Sequence, residues 1–337
     1  MVLVVIAVQA VFLSLFAWPA VTAEPRDLPI VIAGPEPVAK AVGDKLDEAE
    51  PGAFDVTYVD DADAAEQAVR DQQAYGGFVV APSPQGPPQL EVRVASAASP
   101  AVAQMLTQIG QSAGRAAGQT APVTVVDVVA AVAADPDDPR GAALTAGILP
   151  LVMTSIVAGL LLVVVLRSRV ARFVGLLLYG ASAGLAAAAV LQHGFEALPG
   201  DYVSNAAAIG LTALAMAGTV AGLGAVLGIA GAGLGGAVMF LLGNPLSGLA
   251  SAPEMLPQPW GEVGQWLPPG AGGALLRSVA FFDGAAAAYP MWILAGWAAV
   301  GLLTLVGRAG GPPHAGKKPA ANRQDVAAEG AEPTPVS

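Results

Sequence analysis

Two stretches of this chain carry the spacing of a known chemical motif, and neither has the surroundings that the chemistry needs. Gly311-Pro-Pro-His-Ala-Gly316-Lys317-Lys318 has glycines and a lysine at the positions of a phosphate-binding loop. Such a loop cradles phosphate with backbone amides and holds magnesium with a Ser or Thr after the lysine. Here that position is Lys318, two prolines remove amides, and no strand-like run precedes the glycine. Gly180-Ala-Ser182-Ala-Gly184 has the pattern of a nucleophile elbow. That motif places its serine on a strand-to-helix turn with a histidine in reach, whereas Ser182 lies inside a long apolar run. The only histidines are His193 and His314, and there is no cysteine. Thiolate chemistry and disulfides are excluded, and no histidine-based metal set or cofactor site can be assembled. No nucleophile, carboxylate pair or metal set converges, so the residues point away from an enzyme.

The elements that would have to position any site are mostly apolar. Of 337 residues, 55% are hydrophobic and 12% charged, with a mean hydropathy of +0.62. Soluble domains average about 25% charged residues, so the composition is that of a membrane protein. The net charge of −11 is unevenly placed. Residues 24–141 hold 18 acids and 7 bases, and the remainder of the chain is neutral. An acidic soluble domain is therefore joined to a neutral membrane domain. No basic patch exists to neutralise phosphates, which argues against a nucleic-acid partner.

In chain order, residues 1–23 form a first apolar span. Val21-Thr22-Ala23 resembles a leader cleavage site, but no basic segment precedes the apolar run. Residues 24–141 alternate strand-like and helix-like runs. Strands are expected at Leu28–Ala33, Phe54–Val59, Tyr75–Val80, Gln89–Ala95 and Val123–Val129. Helices are expected at Val38–Glu48, Ala62–Gln72 and Pro100–Ala116. This order implies a small α/β domain, closed by the polar linker Asp135–Pro139. Further spans are expected at Leu144–Leu166, Val174–Gln192, Val203–Val226, Ile229–Leu249 and Pro290–Val306, since about 20 apolar residues cross a bilayer. Arg167, Arg169 and Arg172 cluster between two of these runs and mark that loop as cytoplasmic. Residues 308–337 read as a disordered cytoplasmic tail with Arg308, Lys317, Lys318 and Arg323. The expected fold is a polytopic α-helical membrane protein with six transmembrane helices and an inserted extracytoplasmic α/β domain. It would be multi-pass in the cell membrane, with membrane lipid around it and both termini cytoplasmic.

Within the membrane domain of residues 142–307, two features stand out. Gly218/Gly222, Gly224/Gly228 and Gly231/Gly235 are spaced by four, a pattern that lets helices approach closely. They can pack the bundle or meet a partner protomer. Residues 243–284 carry Pro245, Pro253, Pro257, Pro259, Pro268 and Pro269, too many for one spanning helix, together with Trp260 and Trp266. Tryptophan favours headgroup depth, so this segment is expected to form an outer, surface-lying or re-entrant cap. Gly243, Asn244, Pro245, Glu254, Trp260, Trp266, Pro268, Pro269 and Gly270 would define it. Glu254, Glu262, Arg277 and Asp283 would hold it at the water surface. A short interfacial helix over 273–282 would turn Leu275, Leu276, Val279 and Phe282 to the apolar side.

The residues GNPLSG (243–248), SAPEMLP (251–257) and LPPGAGG followed by LLRSVAFFDG (267–284) carry a resemblance. They are similar to the C-terminal part of bacterial ABC-2-type permeases, especially the phage-infection-protein (YhgE/Pip-like) branch. The layout of one span, a large outer domain and five further spans is similar too. The resemblance implies the membrane subunit of an exporter, forming a homodimer or paired permease beside a separate ATPase subunit. Such permeases usually begin with a cytoplasmic docking helix, which this chain lacks before its first span, and the 167–172 loop is short for an ATPase contact. The alternative is an ATPase-independent envelope protein whose outer domain binds a partner or phage.

Overall fold

The computed structural model describes residues 1–81, 89–118, 122–131 and 142–307. Asp135–Pro139, the phosphate-loop-like stretch, His314 and the whole 308–337 tail lie outside the described residues.

The first helix, α1 (Val2–Val21), leads into an α/β domain: β1 (Leu28–Ala33), α2 (Glu36–Ala49), β2 (Phe54–Val59), α3 (Ala62–Arg70), β3 (Gly76–Ala81), β4 (Gln89–Val94), α4 (Pro100–Ala116) and β5 (Thr124–Asp127). The strands form one mixed sheet in the order β2-β1-β3-β4-β5. β1 pairs in parallel with β2 and β3, β3 and β4 are antiparallel, and β5 is parallel to β4. β1 reads LPIVIA without alternation because both of its faces are buried. Leu28, Ile30 and Ile32 pack with Phe78, Val92, Val102 and Leu106 under α2 and α4. Val31 and Ala33 pack with Ala65, Val69 and Val79 under α3. Local chemistry starts the helices where the sequence predicts. Asp61 Oδ1 accepts the Ala64 amide at 2.8 Å, and buried Ser99 Oγ accepts the Val102 amide at 3.2 Å ahead of Pro100. On the α3 side of the sheet, Arg93 of β4 pairs with Glu66 of α3 at 3.1 Å and with Glu91 of its own strand at 3.5 Å.

The helical region comprises α5 (Ala142–Val165), α6 (Arg169–Ala189), α7 (Tyr202–Leu227), α8 (Ile229–Ala237), α9 (Trp260–Gln265), α10 (Pro268–Phe281) and α11 (Ala288–Gly307). Among the described residues, four helices are long and apolar enough to cross a membrane: Val2–Pro19, Arg169–Gly194, Tyr202–Leu227 and Ala288–Gly307. Leu149–Val165 and Ile229–Gly243 are shorter apolar helices. Large side chains such as Leu161, Leu178, Leu303 and Val306 point outward from the bundle, a surface compatible with lipid and costly in water.

α7 is the axis. It packs against α5, α6, α8, α10 and α11. Its run of Ala and Gly permits five neighbours to close in, and Asp201 starts it by accepting the Ser204 amide at 2.8 Å. The expected fifth span ends earlier than Leu249. Gly228, at φ +71°, turns the chain out of α7. After α8 the helix widens over Val238–Gly243 and stops before Pro245.

Candidate functional site

Residues 243–284 join the α/β domain to the bundle: parts of the segment pack in the cores of both, while Trp260, Glu262 and Trp266 remain exposed. Pro245 opens a single tight turn ended by Gly248 at φ +67°, and Pro253 opens a second turn over Pro253–Met255. Pro268 and Pro269 occupy the first positions of α10, where a missing amide costs nothing. A Cβ on Gly243 would stand 2.7 Å from the Pro269 ring, so this turn closes only over glycine. α10 begins at Pro268 rather than near Gly273 and is buried along most of its length. Its Leu275 and Leu276 join Ile209 and Leu294 in the bundle core. It packs on α7 because Ala and Gly on both helices leave room. Phe282, expected on the same apolar side, points the other way and joins the core beneath α3. Ala252 and Met255 complete the core on the opposite face of the sheet.

Polar groups follow the same seam. The amides of Glu24 and Arg26 donate to the carbonyls of Met255 (3.1 Å) and Glu254 (3.0 Å), stitching the exit of α1 to the joint. Tyr75, just before β3, is fixed by the Pro29 carbonyl (3.1 Å) and the Ala95 amide (3.1 Å). Its hydroxyl donates to Glu254 Oε2 at 2.9 Å. Burial, reinforced by the Glu254 carboxylate, holds the Tyr75 phenol well above its usual range, so it remains a donor. Arg277 of α10 donates from a terminal nitrogen to the Leu249 carbonyl at 2.6 Å, while its buried Nε has no partner. Burial lowers its pKa, but a guanidinium stays charged in proteins. A cavity of about 270 Å³ lies here, lined by Gln73, Tyr75, Ser247, Glu254, Gln265 and Arg277 among others. Glu254 and Arg277, expected only to solvate a loop, are thus half-buried groups that line the cavity of the joint. Among the described residues, no cluster of three or more metal-ligating side chains occurs.

The remaining predicted residues are placed elsewhere. Gly218 and Gly222 face Gly301 of α11, where a Cβ on Gly301 would stand 2.6 Å from the Gly218 carbonyl carbon. Gly224 faces Val163 and Ala232, and Gly231 and Gly235 face α7 at Leu223 and Val220. These contacts are internal to one chain. Gly228 packs on nothing and serves as the positive-φ turn instead. Gly180 and Gly184 pack against the α7 backbone around Gly210, which is where the elbow-like motif goes. Arg172 caps the end of α5 through the Leu166 (2.7 Å) and Val163 (3.0 Å) carbonyls. Arg169 reaches the Val306 carbonyl at the end of α11 (3.3 Å). Cations at helix C-termini complement the helix dipole; Arg167 stands in the same turn. Asn244 accepts the Ser247 hydroxyl at 2.7 Å through its carbonyl. Trp266 is 60% exposed and accepts the Trp297 indole N–H at 2.8 Å through its carbonyl, and Trp260 meets Trp18 edge-on at 6.4 Å. Gly270 abuts the Gly264 carbonyl.

Sequence reasoning missed Tyr75, which looked like an ordinary strand residue, and the half-buried position of Arg277. A signal for the second existed: Arg277 is the single charge in LLRSVAFF, with no acid within four positions. Comparison with known proteins finds no matching family model, curated protein or solved structure.

Proposed function

We propose that this chain is the permease subunit of an ABC-2-type exporter, a multi-pass protein of the cell membrane with the α/β domain outside and both termini inside. Its substrate is lipid-like or hydrophobic, and a separate ATPase supplies the energy. The observation that carries the reading is mechanical. Residues 252, 255 and 282 belong to the cores of the α/β domain, while α10 between them packs on the central helix α7. A shift of α10 against α7 therefore moves the α/β domain as well, which is what an exporter needs to couple its bundle to an outer gate. The layout and the 243–284 motifs support the same reading. The test is co-purification of the tagged chain from mild detergent, followed by reconstitution. Recovery with an ATPase subunit and ATP-dependent movement of a lipid probe are expected. Repeated recovery alone, with no ATP-dependent movement, overturns it.

A second reading is favoured by a specific observation. The turn between α5 and α6 spans only residues 166–168, and Arg169 and Arg172 are occupied in capping helices. Among the described residues, little of that end is left for an ATPase to grip, which suits an ATPase-independent envelope protein whose outer domain binds a partner. Topology is tested separately. A cysteine at Ser112 should react with an impermeant reagent in intact cells, and cysteines at Ser168 and Ser182 should not. Labelling at Ser168 reverses the orientation.

A further inference from the structure

The cavity at the joint holds charges that the fold leaves uncompensated. Elsewhere the protein neutralises an inward-facing guanidinium: Arg93 has Glu66 at 3.1 Å and Glu91 at 3.5 Å. Arg277 is different. Among the described residues no carboxylate oxygen lies within 4.0 Å of it. One carbonyl, that of Leu249, is its only hydrogen-bond partner there; its Nε is bare, as is that of Arg93, so the missing carboxylate is what sets Arg277 apart. The Arg277 side chain is half-buried with its Nε enclosed, and a partly desolvated charge without a counter-ion is unfavourable unless a ligand supplies the opposite charge. Glu254 lines the same cavity without pairing with Arg277. Its Oε2 is occupied by the Tyr75 hydroxyl, which fixes the carboxylate and leaves Oε1 for another donor. The two charges therefore face a common space rather than each other.

That space is about 270 Å³, many times the room one water needs and slightly below the usual range for drug-sized ligands. Gln73 is exposed and lines it, so it reaches the surface. A simple anion would meet Glu254 as well as Arg277, and a simple cation the reverse. Only a ligand with both signs, a few atoms apart, satisfies both ends. We infer that this cavity binds a small zwitterion, its phosphate or carboxylate on Arg277 and its ammonium on Glu254. The inference is independent of coupling to an ATPase. Two sources offer this chemistry: a free solute or the headgroup of a zwitterionic lipid.

The test uses the full chain in detergent and in nanodiscs, titrated by calorimetry with phosphoethanolamine, inorganic phosphate and ethanolamine. Phosphoethanolamine should bind at least tenfold more tightly than either half-ligand. Glu254→Gln and Arg277→Gln should each weaken it at least tenfold, and Tyr75→Phe about threefold through loss of the carboxylate's orientation. If Arg277→Gln does not fold, Glu254→Gln and Tyr75→Phe carry the test. Loss of the phosphoethanolamine signal in phosphatidylethanolamine nanodiscs but not in phosphatidylglycerol ones assigns the site to lipid; binding in both assigns it to a free solute. Equal affinity for phosphate and phosphoethanolamine, undiminished by Glu254→Gln, overturns the zwitterion. Absence of binding by all three probes overturns the site.

Discussion

α1 and α7 are both uninterrupted apolar helices, and α1 is the more apolar of the two, yet 72% of α7's most apolar window is buried inside the protein against 6% for α1. Hydropathy does not separate them; side-chain size does. α7 is built from Ala, Gly, Thr and a few larger residues, so neighbouring backbones can come close. α1 is built from Val, Leu, Ile and Phe, whose bulk keeps neighbours away, and it touches the rest of the chain near Phe16, Trp18 and the joint. Apolar character says that a helix leaves water. Small residues say which helix the others gather around.

The comparison breaks most sharply at the closest approach. Gly301→Leu would drive a branched side chain into the α7 backbone at Gly218. Overpacking of this kind costs about 1–3 kcal/mol or more. We expect a large fall in Tm in detergent, whereas an unchanged Tm would mean that α11 does not seat on α7. Phe16→Ala removes the ring that meets Phe240 at 5.4 Å. The expected loss is about 1 kcal/mol, read as easier proteolytic release of α1 with the bundle intact.

A smaller effect is expected at the start of α7. The Asp201 carboxyl is held below its ordinary value by the Ser204 hydroxyl and then the Ser204 amide. A depressed folded value means that the cap's contribution is present above the ordinary aspartate range and is lost as pH falls through the folded value. Asp201→Ala should therefore lower Tm modestly at neutral pH, and the gap to the parent should close in acid. Leu3→Ala, on the 81% exposed start of α1, should leave Tm in detergent unchanged; a clear drop would show that α1 has a packing partner after all.

Much of the α/β domain was legible because its signals are local. Leu28–Ala33, Phe54–Val59 and Pro100–Ala116 are found with the boundaries that strand runs, Gly/Pro punctuation and a Ser-Pro helix start predict. The apolar runs of the bundle were legible for the same reason, save that Ile229–Gly243 stops short. Its end depends on Pro245 and on a widened last turn that periodicity does not register. The packing of the joint was less legible. Its prolines and tryptophans do describe broken, interfacial backbone, but its role comes from residues far away in the chain, Tyr75 against Glu254 above all. Arg277 looked like a solvating charge because a lone arginine carries no record of what surrounds it.

The joint also imposes an order on biosynthesis. Tyr75 is made 179 residues before Glu254, and at about 5–20 residues per second that is on the order of ten seconds or more. Until then the sheet lacks Ala252 and Met255 on one face and Phe282 on the other. The nascent α/β domain must wait, with two apolar patches uncovered, while nearly the whole bundle is synthesised. Maturation of the first domain is thus timed by a segment made well after it, and a chain truncated before residue 252 would present those patches to proteases and chaperones.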